Sequence, residues 1–215
     1  MPSKLYLIFL LIKSEGKKLS SSVDKLPSFM SSILGFSLLF LSLTSCVYSI
    51  VASSYANIYG YRKLGKSAVN ALAASCVTIF AASFLLVYEL IESNFELEYV
   101  SKFSSVMTPF LYKISAFWAG MEGSMLFWLF ILSIYIFVLI MSSKDDKYLP
   151  WVWPVLGTIQ LFFIVICTFF ENPFRPALFV SAAGSGAGLN PLLQHPAMLI
   201  HPPMLYLGYI GFSIP

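Results

Sequence analysis

Apolar stretches alternate with polar segments along this chain, and four of the stretches are long enough to cross a bilayer. They run from Phe29 to about Ser53, from Ala68 to Leu90, from Met121 to Met141 and from Leu149 to Phe170. A membrane-spanning helix needs about 20 mainly apolar residues and satisfies its own backbone hydrogen bonds. A fifth apolar run begins near Met204 and reaches Pro215, which is too short to cross. The pattern predicts an all-α, polytopic transmembrane helix bundle with four complete spans and a truncated fifth.

The polar segments between these stretches differ in length and in charge. The short connections, residues 61–66 and 142–148, hold five basic residues, Arg62, Lys63, Lys66, Lys144 and Lys147. The long ones, at about 91–120 and 171–203, hold only Lys102, Lys113 and Arg175. Because lysine and arginine accumulate in cytoplasmic loops, we expect the two long loops on the external, periplasmic side of a plasma (inner) membrane.

The amino-terminal segment fits this orientation poorly. Residues 1–28 form a lysine-rich tail that the predicted topology leaves outside, and translation from Met1 or from Met30 is compatible with the pattern. We therefore divide the chain into a tail of uncertain status, 1–28, and one multi-span domain, 29–215, interpreted as the amino-terminal part of a longer protein or of a split gene.

Composition supports a membrane protein and argues against other classes. Only 11% of the residues are charged and 58% are hydrophobic, with a mean hydropathy of +0.81. A soluble domain carries about 25% charged residues, so lipid must cover this chain. The net charge of +3 comes from clusters between apolar runs, which argues against a nucleic-acid partner. Cys46, Cys76 and Cys167 each lie inside an apolar run and are interpreted as small buried hydrophobes.

The two histidines, His195 and His201, lie in the second long loop. His201 precedes Pro202 and Pro203, which we expect in the first turn of the fifth helix, where a missing N–H costs nothing. A neutral imidazole held at an apolar boundary is a suitable axial ligand for haem iron. The alternative is a helix-capping or interfacial histidine, because amphipathic rings suit that depth.

Two further polar residues are candidates for a functional site. Glu122 begins an otherwise apolar span, where a carboxylate either contacts a proton or ligand or is stabilised by the helix dipole. Arg175, in the second long loop, either pairs with a haem carboxylate or is a solvated loop charge.

Several runs of residues resemble those of one family. The run Gly188–Pro196 (GLNPLLQHP) is followed by Ile200–Ser213 (IHPPMLYLGYIGFS), and upstream lie Tyr112–Trp118, Glu122–Trp128 and Glu171–Phe174. In order and spacing they resemble CcmF-type (CcmF/NrfE) cytochrome c haem lyase subunits of the cytochrome c assembly protein family, over about residues 30–215. The resemblance is most specific in the last stretch.

The resemblance implies a role in cytochrome c maturation. Members handle b-type haem, receive it from a membrane-tethered haem chaperone and help attach it to apocytochrome c, together with other subunits of the maturation complex. His201 matches the external histidine that acts as a haem axial ligand, whereas no ligand role is carried to His195. Since the remaining ligands are expected downstream, we expect this chain alone to be inactive as a haem lyase. The alternatives are the related cytochrome c synthase of the other maturation system and a proton-coupled membrane transporter with Glu122 as its proton site.

Overall fold

The computed structural model describes residues 25–142, 149–177 and 185–212, and this part of the chain consists of helices and their connections. In chain order the α-helices are α1 (Lys25–Tyr59), α2 (Arg62–Glu92), α3 (Glu98–Phe103), α4 (Phe110–Ser115), α5 (Met121–Ser142), α6 (Leu149–Val165) and α7 (Pro196–Gly211). A 3-10 turn, Ala116–Trp118, precedes α5, and a second, Pro191–Leu193, precedes α7. A π-helical turn, Ile166–Phe170, extends α6.

Four of these helices are long and apolar enough to cross a membrane, which confirms the predicted all-α, multi-span fold. They are α1, α2, α5 and α6 with its π-helical extension. The boundaries differ from the apolar runs. Helix α1 begins at Lys25 and helix α2 at Arg62, so both helices extend past the apolar runs into charged flanks. Hydropathy alone therefore predicts helices that are too short at these ends. The division of the chain at residue 28 stays a prediction.

The spans form an antiparallel bundle in which α1 packs on α2 and α6, and α5 packs on α2, α6 and α7. The two long connections meet at one end of this bundle, which we call the long-loop end. There, Leu97 and Pro176 form an isolated antiparallel bridge, and the Glu98 N–H donates to the Arg175 carbonyl at 2.9 Å. The Ser32 hydroxyl at the start of α1 donates to the Phe174 carbonyl at 2.6 Å. One end of the bundle is therefore a layer of interlocked loops.

The interior of the bundle contains polar side chains that bond to one another. The Gln160 amide on α6 donates to the Ser133 hydroxyl on α5 at 3.1 Å and lies 3.5 Å from the Cys76 sulfur on α2. Ser42 on α1 and Ser75 on α2 lie 3.2 Å apart, Oγ to Oγ. All these groups are buried. The three cysteines are free and buried, which confirms their interpretation as small hydrophobes.

The fifth apolar helix begins earlier than its hydropathy indicated. Helix α7 starts at Pro196, not near Met204, so Pro202 and Pro203 lie inside it and not in its first turn. Pro196 takes the first position instead, and the Nδ1 atom of His195 accepts a hydrogen bond from the Ala197 N–H at 3.2 Å. A side-chain acceptor at the N-cap and a proline at N1 are sufficient to start a helix. His201 is consequently a helical residue.

Candidate functional site

Helix α7 lies on one side of the bundle and packs with only one of its faces. Its half-buried and buried residues recur at helical spacing: Met198, Leu199, Pro202, Pro203, Tyr206, Ile210 and Gly211. They lie against α5 and α4. The opposite face is exposed, as Ile200 and Met204 show with 67% and 61% of their surface accessible. Within the described residues, this face has no helix against it.

His201 belongs to that exposed face. Its imidazole is exposed, and no hydrogen bond to it is formed by any residue in the described part of the chain. Gly208, two turns further along, has no atom within 4 Å of where a Cβ would lie. A histidine in these surroundings keeps both ring nitrogens available to a ligand. The interpretation of His201 as a helix-capping residue is wrong, because His195 caps the helix.

The turn that contains His201 is incomplete as an α-helical turn. Residue 202 of a regular helix donates its N–H to the carbonyl of residue 198, but Pro202 has no N–H to donate. The Met198 carbonyl instead accepts a hydrogen bond from the indole Nε1–H of Trp118 at 3.2 Å. Trp118 ends the 3-10 turn before α5. A side chain of the long-loop end thus replaces a backbone bond of α7.

Aromatic side chains hold the rest of α7 against α5. The Tyr206 ring meets Phe127 and Trp128 edge to face, with centroids 5.3 and 5.6 Å apart. The Trp118 ring lies 5.2 Å from Phe127. Next to Tyr206, the Leu207 carbonyl accepts a hydrogen bond from the Tyr135 hydroxyl at 3.0 Å. Such contacts fix the rotation of α7 about its axis and leave the His201 face outward.

Glu122 lies in the first turn of α5, as the sequence indicated, and is half-buried. Beneath this turn, the buried Tyr99 hydroxyl donates to the Ala116 carbonyl at 2.7 Å and accepts from the Gly120 N–H at 3.2 Å. Burial raises the pKa of Tyr99, and the Glu122 carboxylate adds to the effect. An acid at a helix N-terminus is stabilised by the backbone dipole. Glu122 therefore has a structural reason for its position, and no cation lies within ion-pair distance of it among the described residues.

Arg175 also lies at the long-loop end, next to the last turn of the α6 extension. Its guanidinium donates to the carbonyls of Phe169 and Phe170, the last residues of the α6 extension. Cations stabilise the carbonyl end of a helix. Arg175 also lines a groove of about 400 Å³ between α1 and the end of α6, whereas α7 packs on α5 and α4. Its pairing with a haem carboxylate stays a prediction.

Sequence reasoning missed a buried carboxylate. Glu89, in the last turns of α2, is only 4% exposed. It accepts hydrogen bonds from the Ser31 hydroxyl and the Asn94 amide, each at 2.7 Å. An acid within the apolar run Ala68–Leu90 was a usable signal, since ionisable residues inside spans are rare. Glu89 joins α1, α2 and the first long loop.

In the part of the chain that the structure describes, no cluster of potential metal ligands accompanies His201. Nowhere in residues 25–142, 149–177 and 185–212 do three histidine, cysteine, aspartate or glutamate side chains converge. A single exposed imidazole suits a group such as haem, whose iron is already held by four ring nitrogens and needs protein ligands only at its axial positions.

Comparisons with known proteins decide the family. The family described as Cytochrome C assembly protein matches residues 118–215, a segment that includes Trp118, Glu122 and all of α7. The cytochrome c-type biogenesis protein NrfE of Haemophilus influenzae is 35% identical over 84% of this chain, and CcmF of the same organism is 33% identical over 70%. The chain belongs to the cytochrome c assembly protein family. CcmF of Escherichia coli is similar too, at 32% identity over 64% of the chain.

A solved structure agrees in fold. The protein titled Cytochrome c Heme Lyase CcmF matches 86% of this chain with a TM-score of 0.72 and 24% sequence identity. This chain covers 29% of that structure, and 28% and 23% of the two Haemophilus relatives. The chain thus spans about a quarter of the length of these relatives. The three relatives are named as cytochrome c-type biogenesis proteins and the solved structure as a cytochrome c haem lyase, and none of the four is named as a transporter.

Proposed function

We propose that this chain acts in cytochrome c maturation by presenting His201 as an axial ligand for b-type haem on the exposed face of α7. The observation that carries the proposal is the unpartnered imidazole, which extends from a helix whose other face is fixed to the bundle. The names of the relatives support the process, cytochrome c-type biogenesis. The attachment of haem to apocytochrome c, as in a haem lyase, is part of the same proposal.

In this mechanism the protein supplies position and the haem supplies the chemistry. The imidazole of His201 would bind the haem iron and so hold the haem against the exposed face of α7. The aromatic contacts of Tyr206 keep α7 from rotating, so the imidazole direction is constant. A haem held in this way would offer a fixed target to the cysteine thiols of apocytochrome c.

In this proposal the chain supplies one axial ligand, His201. The sequence contains one other histidine, His195, whose Nδ1 atom accepts a hydrogen bond from the Ala197 N–H at the start of α7. We propose that the second ligand comes from another part of the complete protein or from a partner. Haem delivery by a membrane-tethered chaperone, apocytochrome c and other subunits as partners, and the inactivity of this chain alone belong to the same proposal.

We propose that the long-loop end faces the external, periplasmic side of the plasma membrane. Arg62, Lys63 and Lys66 lie in the first turns of α2, at the opposite end of the bundle. Clustered basic residues at span ends stay in the cytoplasm. His201, near the start of α7, then lies at the external side, where exported apocytochromes are found.

The test is the variant His201→Ala in the complete protein, expressed in cells whose own copy is deleted. We expect loss of mature cytochrome c, measured by haem staining, with an unchanged amount of the protein in membranes, because the side chain is exposed. His195→Asn is the matched control, since asparagine preserves the helix cap, and it should mature cytochrome c normally. Normal cytochrome c in the His201→Ala strain would contradict the proposal.

A further inference from the structure

The hydrogen bond between Trp118 and Met198 acts on the turn that carries His201, and its significance rests on the proposed function of that residue. The bond that Pro202 omits is the one that would close the helical turn Met198–Pro202, and His201 lies within this turn. The next backbone bond is missing as well, because residue 203 is also a proline. The turn that carries His201 therefore lacks two of the backbone hydrogen bonds that a regular helix would form there.

Trp118 supplies the missing restraint from outside the helix. Its Nε1–H reaches the Met198 carbonyl at 3.2 Å, and its ring is fixed by Phe127 at 5.2 Å. The Trp118 carbonyl in turn accepts from the Ser124 hydroxyl at 3.0 Å, which ties the residue to the first turn of α5. The position of the Met198 carbonyl is thereby set by the bundle.

We propose that Trp118 is a positioning residue for His201: its indole N–H, bonded to the carbonyl that Pro202 leaves free, sets the direction in which the imidazole leaves the bundle. The prolines and the tryptophan act as a pair. The prolines leave the Met198 and Leu199 carbonyls without their helical donors, and Trp118 bonds the first of these carbonyls to the rigid spans. Haem affinity and the electronic state of the iron both depend on the imidazole direction.

The test uses the complete protein, purified in detergent and titrated with haem. Trp118→Phe keeps an aromatic ring against Phe127 but removes the N–H donor. We expect about a two- to tenfold loss of haem affinity, the range for one lost hydrogen bond, together with a shifted absorption spectrum and midpoint potential. Trp151→Phe is the matched control, because Trp151 is exposed near the start of α6, at the opposite end of the bundle from the long loops. It should change none of the three quantities.

A double-variant cycle tests the route of the effect. Pro202→Ala restores a backbone N–H for the Met198 carbonyl, so Trp118→Phe should cause little or no further loss in that background. If Trp118→Phe does not accumulate in membranes, benzothienylalanine at position 118 preserves the shape of the ring system and lacks the N–H. The same loss of affinity is expected for it.

The outcomes separate the positioning role of Trp118 from the proposed function. Unchanged haem affinity and spectrum in Trp118→Phe, while His201→Ala loses haem, would overturn the positioning role alone. Full haem binding by His201→Ala would overturn the proposed function. An effect of Trp118→Phe that is equally large with and without Pro202 would show that the Met198 carbonyl is not the route, which also overturns the positioning role.

Discussion

The four-span bundle and helix α7 treat their polar side chains in opposite ways. In the bundle, Gln160 and Glu89 are buried and each bonds to groups on other helices or loops. On α7, His201 is exposed and has no bonding partner in the described residues. Both regions are apolar overall, so the difference lies in where the few polar groups point.

The physical reason is the cost of a polar group in lipid. A buried donor or acceptor without a partner costs several kcal/mol in hydrocarbon, so polar side chains inside a span mostly bond to one another or to backbone carbonyls. Among the described residues the Ser83 hydroxyl is the exception, because it is buried without a partner. A polar group that points away from the bundle has no such explanation and requires water, a ligand or a further part of the protein. The contrast therefore separates groups that hold the fold from a group that is available for function.

The largest expected effect comes from the tightest contact in the bundle. A Cβ at Gly123 would collide with the Tyr99 hydroxyl and the Phe117 carbonyl, and a backbone atom cannot give way as a flexible side chain can. We expect Gly123→Ala to lose more than about 3 kcal/mol of unfolding free energy, visible as loss of folded protein in membranes.

Gly208 is the matched control for this variant. It also lies inside a helix, but on the open face of α7, with no atom within 4 Å of an added Cβ. We expect Gly208→Ala to accumulate normally. An equal loss in both variants would break the comparison, because another part of the complete protein would then cover the outward face of α7 as tightly as Tyr99 covers α5.

The second prediction concerns Glu89. Glu89→Leu removes the acceptor of the hydrogen bonds from Ser31 and Asn94, each 2.7 Å long. We expect a loss of about 2–3 kcal/mol, measured as a lower SDS midpoint of unfolding in mixed micelles. Glu92→Leu, an exposed acid one turn later on the same helix, should change stability by less than about 0.5 kcal/mol. Equal midpoints for the two variants would show that burial of Glu89 contributes nothing.

These contrasts also show what the sequence predicts and what it does not. Hydropathy is sufficient to place the four spans, because lipid demands long apolar helices. It misplaces the start of α7, because the helix begins where His195 and Pro196 satisfy its first turn, and capping leaves no trace in hydropathy. The apolar run therefore indicates the membrane-buried part of a helix and not the helix itself.

The candidate residues follow the same division. His201 and Glu122 stand out in the sequence by type and position, and the structure places both near the long-loop end. The bond between Trp118 and Met198 joins residues 80 positions apart, so neither periodicity nor spacing predicts it. Long-range pairs of this kind depend on which helices are neighbours, and that is decided only by packing.

The third prediction tests the polar centre of the bundle. Gln160→Leu removes a hydrogen bond to Ser133 and the contact with Cys76. Interhelical hydrogen bonds in membrane proteins contribute about 0.6 kcal/mol on average and about 1.7 at most, so we expect a loss of about 1 kcal/mol by the same SDS titration. Thr158→Val, whose hydroxyl bonds only to its own helix at the exposed surface, is the control and should be near neutral. A loss above about 3 kcal/mol would mean that the network is coupled beyond its pairs.

The smallest effect is expected where a polar pair is bonded but exposed. Lys102 and Glu98 form an ion pair of 2.7 Å on α3, with half of the lysine side chain accessible. Such i,i+4 pairs contribute about 0.3–0.5 kcal/mol, so Glu98→Gln should barely move the unfolding midpoint.

The hydrogen bond to Glu98 raises the pKa of Lys102. A raised pKa means that the contribution of Lys102 is present at neutral pH and is lost as the pH rises through that pKa, so the small difference between Glu98→Gln and the unchanged protein should vanish in alkaline solution. A difference of more than about 1 kcal/mol, or one that persists at high pH, would show that the long-loop end shields this pair from water as the bundle shields Gln160.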